Sequence, residues 1–388
     1  MSASGSGSYK RIETQLVHAG EPSPRIGGAV EMPIFQSATY EYAGEGSYHD
    51  IRYLRINNTP SQLALHDKLA ALEGGEAALV MASGMAAIST TLLTVLSPGD
   101  HLLAQSGLYG GTHDLVAAEF PRFGIERDLI DADRRDSWAA LLRPNTRAIY
   151  VEAMTNPLLE VADLEGVVQF AREHGLTSII DNTFATPVNY RPLAAGFDLC
   201  LHSATKYLNG HADIVAGAVI GKAEAIEGIR HRANHLGGSL DPHAAFLLKR
   251  GLKTLALRVR YQNESTQRIA GFLASQPGVV RVNYPGLESH PRHARARRLF
   301  AGYGGVLSFE LEGGERRAED FAQRVRIPAV APSLGGVQTL LTRPATTSHA
   351  GLAREERLRL GISDGLLRLS VGIEATDDLL EDIRQALR

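Results

Sequence analysis

Two ionisable residues follow apolar runs in a way that suits one reaction centre. Thr177-Ser-Ile-Ile-Asp181 ends in an acid. Asp198-Leu-Cys-Leu-His202 leads into Ser203, Thr205 and a single lysine, Lys206. An acid closing one buried strand and a lysine just past the next is the pair that pyridoxal phosphate requires. The lysine forms the Schiff base, and the acid faces the pyridinium nitrogen. A lysine in that role must be partly desolvated, or near another cation, to be neutral enough to move protons. The plainer roles for such residues are a helix cap for Asp181 and a surface charge for Lys206.

A phosphate needs its own cradle. Glu76–Ala82 reads as a short strand, Ser83-Gly84-Met85 as a small-residue turn, and Ala86–Leu96 as a helix. The free N–H groups at that helix start, with its dipole, suit an anion. No Gly-Lys-Ser/Thr follows, so this is not a nucleotide P-loop. Ser203 and Thr205 add hydroxyl donors. Upstream, Tyr53 and Arg55 lie two apart, which puts both on one face of an extended segment.

These residues must be held by a scaffold, and the pattern predicts one. Strand-like runs recur at His101–Gln105, Ile125–Ile130, Arg147–Glu152, Thr177–Asp181, Leu199–His202 and Ile214–Ile220, with helical runs such as Ser61–Leu72 and Leu164–His174 among them. Such alternation implies an α/β fold, a mostly parallel sheet covered on both faces. Ligands then sit beyond the carboxyl ends of the strands. Ser83, Gly84, Tyr109, Glu152, Asn156, Asp181, Ser203, Thr205 and Lys206 all lie at or just past predicted ends. After Gly221 the texture changes to a long helical region reaching about Ala274. Strand patterns at Gly305–Leu311 and Arg368–Glu374 and a helix at Asp377–Leu387 follow. The expected division is an arm over 1–62, a large domain over 63–253 and a smaller α+β domain over 254–388.

Bulk properties exclude other classes. The 388 residues are 44% apolar, enough for a sizeable core. A formal charge of −3 gives no electrostatic reason to expect nucleic acid or an anionic membrane. No segment is long and apolar enough to span a bilayer. Met1–Ser8 reads as a disordered Ser/Gly-rich tail. A single cysteine, Cys200, rules out an internal disulfide and fits a reducing, cytoplasmic setting. It reads as a small buried hydrophobe. His231 and His235 have ligand spacing on a helix, yet no third ligand pattern accompanies them, so no metal is expected.

Several ordered motifs resemble the trans-sulfuration family of pyridoxal-phosphate enzymes of cysteine and methionine metabolism. They are Ser83-Gly-Met-Ala-Ala, Tyr109-Gly-Gly-Thr, Asp181-Asn-Thr-Phe, Ser203-Ala-Thr-Lys-Tyr-Leu-Asn-Gly-His, Arg250-Gly-Leu-Lys-Thr-Leu, Ser333-Leu-Gly-Gly and Arg368-Leu-Ser-Val-Gly-Ile-Glu. The resemblance covers nearly the whole chain after the tail. It implies the aspartate-aminotransferase fold (fold type I), an amino-acid substrate, and a homotetramer whose active sites are shared across a dimer interface. It implies that Tyr109 lies over the ring, Asn156 touches the ring hydroxyl, and Tyr53 and Arg55 reach a neighbour's phosphate. Arg368 would clamp the substrate carboxylate, with Ser333 nearby. The chemistry implied is loss or replacement of a group at Cγ. The alternatives are a β-lyase of the same family or an aminotransferase of the same fold.

The sequence departs from the family at informative places. Cystathionine-handling members carry an arginine where this chain has Asp114, and often a glutamate where it has Thr342, followed here by Arg343. Methionine γ-lyases carry a cysteine where it has Gly111. Glu152-Ala-Met-Thr-Asn-Pro157 and Asn58-Thr-Pro60 are also off pattern. Asp114 either favours a neutral or basic distal group, the guanidine-like end of canavanine being one candidate, or pairs with a surface residue such as Arg122. Arg343 could restore a cation to the same pocket.

Overall fold

The computed structural model describes residues 9–388; the expected tail, 1–8, lies outside the described residues. The larger of two sheets has seven strands: β1 (Ala77–Met81), β2 (His101–Gln105), β3 (Glu126–Ile130), β4 (Thr146–Glu152), β5 (Thr177–Asp181), β6 (Leu199–His202) and β7 (Gly217–Gly221). Their order is β1-β7-β6-β5-β4-β2-β3. Pairings from β6 across to β3 are parallel, and β7 runs against both its neighbours. The two reversals cancel, so β1, β4, β5 and β6 all end at one edge. Strands β2, β4 and β6 are almost wholly buried, as continuous apolar runs in a two-sided sheet must be.

Two predicted strands shift, each because a polar bond claims part of the run. The 214–220 run becomes β7 from Gly217 onward. Ala216 instead closes the turn before Lys206: its carbonyl accepts from Thr205 N at 3.1 Å, and its N–H donates to Thr205 Oγ1 at 3.0 Å. The 368–374 run becomes a strand over Leu366–Ser370. Glu374 leaves the ladder to accept from Thr339 N and Oγ1, both at 2.7 Å.

The second sheet has order β10-β11-β12-β9-β8, from β8 (Val279–Asn283), β9 (Val306–Leu311), β10 (Ala329–Val330), β11 (Leu340–Thr342) and β12 (Leu366–Ser370). A 20-residue helix, Leu255–Ala274, joins the two halves. Its buried Arg258 donates to the carbonyls of Tyr207 (2.9 Å) and Gly251 (2.8 Å), which fixes the turn just after Lys206. Gln262, a turn further on, donates to the carbonyls of Gly336 and Val371. One helix thereby holds the lysine loop and the Ser333-Leu-Gly-Gly loop in register.

The arm opens with a helix, Ile12–His18, and meets the helix Pro60–Glu73. There Lys68 is fully buried, and its Nζ donates to the Leu16 carbonyl at 2.8 Å. Burial pulls its pKa down to about 7 from 10.5. Below about pH 7 both folded and unfolded chains hold this proton, and the fold bears a buried charge. Between about 7 and 10.5 the unfolded chain binds more protons, so stability climbs with pH across that window. Lys68→Met should therefore stabilise the protein by about 1–4 kcal/mol near neutral pH and by less towards pH ~10. Thermal unfolding at the two pH values checks this; equal shifts would contradict it.

Candidate active site

The edge shared by β1, β4, β5 and β6 opens into a cavity of about 570 Å³. Its wall carries Ser83, Gly84, Met85, Tyr109, Glu152, Asn156, Asp181, Ser203, Thr205, Lys206, Ser333 and Arg368. Residues up to 285 positions apart in sequence thus meet at one site. Each strand end supplies its part: Ser83 follows β1, Glu152 and Asp181 end β4 and β5, and Lys206 follows β6. Arg368 comes from β12 of the other sheet.

One end of the cavity is a helix start. Ser83 caps the helix Gly84–Val95, its Oγ accepting from Ala86 N at 3.0 Å. The N–H groups of Gly84 and Met85 belong to the first turn and have no intrahelical acceptor. Gly84 is required here, because a Cβ on it would come within 2.8 Å of Ser203 Cβ. The result is a backbone cradle lined by the Ser203 and Thr205 hydroxyls, which fits a phosphate.

Lys206 is desolvated, the condition a Schiff-base lysine needs. Burial, and secondarily the Arg368 charge, lower the Lys206 pKa to about 8. Its Nζ donates to Ser333 Oγ at 2.9 Å. Ser333 holds a left-handed backbone, φ 86°. Strain of that kind in a non-glycine residue is kept where the surroundings enforce it. Gly335 lies so close to Tyr207 that a Cβ would reach the Tyr207 N at 2.8 Å, so the two loops meet backbone to backbone.

Asp181 is raised by burial and held down by Thr183, whose N–H and Oγ1 donate to its Oδ1 at 2.9 and 2.5 Å. Thr183 Oγ1 also accepts from Ser203 N at 2.8 Å, linking the acid to the lysine turn. A protonated ring nitrogen would supply the countercharge such a buried carboxylate lacks. Arg368 is 4% exposed. Its Nη1 donates to Asn156 Oδ1 at 2.9 Å and Nη2 to the Ser333 carbonyl at 2.7 Å, while Nε is buried with no acceptor. An orphaned guanidinium donor on a cavity wall suits an incoming carboxylate.

Other candidates lie elsewhere. Tyr53 and Arg55 are off the cavity wall: the Arg55 guanidinium sits 5.7 Å from the Tyr53 ring centroid and donates to Asn234 O (2.5 Å) and Tyr48 Oη (2.6 Å). Asp114 ends a short helix, Gly110–Asp114, with its side chain 71% exposed, and it is not on the wall either. Arg122 pairs with Glu119 instead of Asp114. Thr342 is buried, its Oγ1 2.9 Å from Thr347 Oγ1, and lines a neighbouring cavity of about 610 Å³. Arg343 lines that second cavity and pairs with Glu315 and Glu319, so it adds no cation to the wall of the first. Sequence reasoning missed Thr183, whose signal was its place two residues after a strand-ending aspartate. It also missed Thr347 and Ser348 on the cavity wall, which belong to a loop without periodicity.

The family model for Cys/Met metabolism PLP-dependent enzymes matches residues 13–388. The chain is 42% identical over 376 residues to cystathionine gamma-lyase of Bacillus subtilis (strain 168), covering 97% of this chain and 98% of that one. It is 41% identical over 377 residues to cystathionine beta-lyase of Lactococcus lactis subsp. cremoris (strain MG1363), covering 97% and 98%. The crystal structure of cystathionine gamma synthase from Xanthomonas oryzae pv. oryzae, in complex with aminoacrylate and cysteine, superposes with a TM-score of 0.94 at 40% identity, covering 98% of both chains. With a fold type I architecture and a cavity that suits the cofactor, the chain belongs to the pyridoxal-phosphate-dependent enzymes of cysteine and methionine metabolism.

Proposed function

We propose that this enzyme removes or replaces an uncharged group at Cγ of an α-amino acid. The carrying observation is the charge inventory of the cavity. The ionic side chains on its described wall are Glu152, Asp181, Lys206 and Arg368. Asp181 faces the cofactor, Lys206 carries it and moves protons, and Arg368 takes the substrate's α-carboxylate. Glu152 lies at the same strand edge as Asp181. No cation remains on the described wall for a second carboxylate; Asp114 is exposed off that wall, and Glu152 Oε1 is already taken by the Tyr109 N–H. A substrate with an uncharged distal end, such as an O-acetylhomoserine or methionine, fits better than cystathionine or canavanine.

Bound pyridoxal phosphate supplies an electron sink for charge developing at Cα. The chain does the rest. Arg368 orients the substrate, the Lys206 amine takes a proton from Cα and serves Cβ, and the Tyr109 phenol stands at the cavity mouth as a second proton carrier. Relatives of nearly equal similarity are named as a γ-lyase and a β-lyase, so product identity decides between them. A panel of acylhomoserine, methionine, cystathionine and canavanine should yield mainly 2-oxobutanoate or replacement product, with the first two preferred. Pyruvate as the main product would make this a β-lyase.

We further propose a cytoplasmic homotetramer, built from dimers in which Tyr53 and Arg55 complete the neighbour's phosphate site. The support is an arm cation outside its own chain's cavity. A division at 62 and 253 belongs to the same proposal: the start of the Leu255–Ala274 helix supports the second boundary, whereas the helix Pro60–Glu73 runs across the first. Mixing inactive Arg55→Ala and Lys206→Ala subunits should restore about a quarter of the activity, as closed two-fold pairing of mixed subunits allows. No recovery after proven subunit exchange would count against sharing.

A further inference from the structure

Among the described residues of the cavity wall, Glu152 is the one ionic side chain that the proposed reaction does not use. It ends β4 directly beside Asp181, the last residue of β5, in a parallel ladder. Aligned residues of a parallel pair leave the sheet on the same face. Glu152 is 5% exposed. Its own N–H is held by Gln105 Oε1 from β2 at 2.8 Å, so its backbone is fixed from the far side of the strand. Its Oε1 accepts the backbone N–H of Tyr109 at 2.7 Å. Tyr109 caps the short helix Gly110–Asp114 and is itself 42% exposed. Two further contacts crowd that turn. A Cβ at Gly110 would lie 2.4 Å from the Ser348 carbonyl, and one at Gly111 would lie 2.8 Å from the Tyr109 ring.

We propose that Glu152 is the positioning residue for Tyr109, tying the tyrosine-bearing turn to the strand edge that carries Asp181. The reading rests on the proposed function, because it assigns a role within that site. The tyrosine follows β2 on a loop and has no strand of its own to set its height. The bond to Glu152 gives it one, on the edge that fixes Asp181. Ring and acid then move as a unit.

The protonation of Glu152 suits this task. Burial first, then the neighbouring Asp181 charge, pushes it up to about 8, against the pull of the Tyr109 N–H. Tyr150 from β4 and Thr183 from the β5 edge also face this pair, and Lys206 and Arg368 share the wall. A protonated Glu152 keeps a carbonyl oxygen for Tyr109 and leaves Asp181 without an adjacent anion. Glutamine has the same length and the same acceptor, and alanine has neither.

The test is a double-mutant cycle on cofactor-saturated enzyme, with a cofactor titration of each apoprotein followed by absorbance. Glu152→Ala should lower kcat by about 10- to 100-fold, the scale of a small misplacement of a reacting group. KM and cofactor affinity should stay within about threefold. Glu152→Gln should recover most of the loss. In a Tyr109→Phe background, Glu152→Ala should cost less than about threefold, because the group it positions is gone. Additive losses in the cycle would overturn the proposal. So would a glutamine variant as impaired as alanine, or a cofactor affinity that falls in step with kcat. A wild-type protein that takes up no cofactor in the same titration would instead overturn the function on which the proposal rests.

Discussion

Lys206→Ala should lower kcat by at least about 10²–10⁴-fold, the contribution of a positioned acid–base group, and abolish the absorbance band of the lysine-linked cofactor. Three features converge on this residue. It follows β6, whose C-terminal end lies beside Asp181. Its amine is pulled down to about 8 by burial and by Arg368, so a useful neutral fraction exists near neutral pH. Its loop is fixed by Arg258 through the Tyr207 carbonyl and by Ser333 through the 2.9 Å bond to Nζ. No other lysine lines the cavity among the described residues. The measurement is steady-state turnover with an absorbance spectrum of each loaded protein. Activity near wild type in the alanine variant, without added amine, would remove Lys206 from the mechanism.

Arg368→Ala should lower kcat/KM for α-amino acids by about 30- to 3,000-fold, which is 2–5 kcal/mol at a buried, hydrogen-bonded charge. The loss should lie mainly in KM, because carboxylate binding is present in the ground and transition states alike. The residue lies on β12, between Ser308 of β9 and Thr342 of β11 in the ladder. Asn156 and the Ser333 carbonyl hold its two terminal nitrogens, leaving Nε as the orphaned donor. Burial lowers its pKa to about 10, which still leaves it charged near neutral pH. Arg368→Lys keeps a charge but loses the planar fork, so it should recover only part of the loss. Cofactor affinity should change little in both variants. An amino-acid amide should lose far less than the acid in Arg368→Ala. Equal losses for acid and amide would show that the residue only supports the fold.

How far the site could be read from sequence depended on where each residue's partner lies. The β5 and β6 runs and the helix Leu164–His174 match their expected bounds because the strands are short apolar runs, the helix carries a periodic apolar stripe, and each ends at a cap or turn. Asp163 caps that helix through Gly166 N at 3.2 Å, and Gly175 ends it. Lys206 and Asp181 were legible for the same reason: each sits just past a buried run. Ser83 was legible as a cap at a strand-to-helix turn. Arg368 and Ser333 were legible only through resemblance, since the second sheet brings them in from far along the chain. Asp114 misled because sequence spacing does not say where a helix of five residues points. Arg343 misled for a similar reason, as the carboxylates that hold it come from a helix 24 to 28 residues upstream. The role of Glu152 was hidden because its partner is a backbone N–H 43 residues away.

The central claim is that Lys206 is the residue joined to the cofactor. The direct measurement is borohydride reduction of the pyridoxal-phosphate-loaded enzyme, followed by proteolysis and mass spectrometry of the labelled peptide. The account predicts one label, on the peptide containing Ser203-Ala-Thr-Lys206-Tyr. A label on Lys68, Lys249 or Lys253, or none on a protein that binds the cofactor, would contradict it.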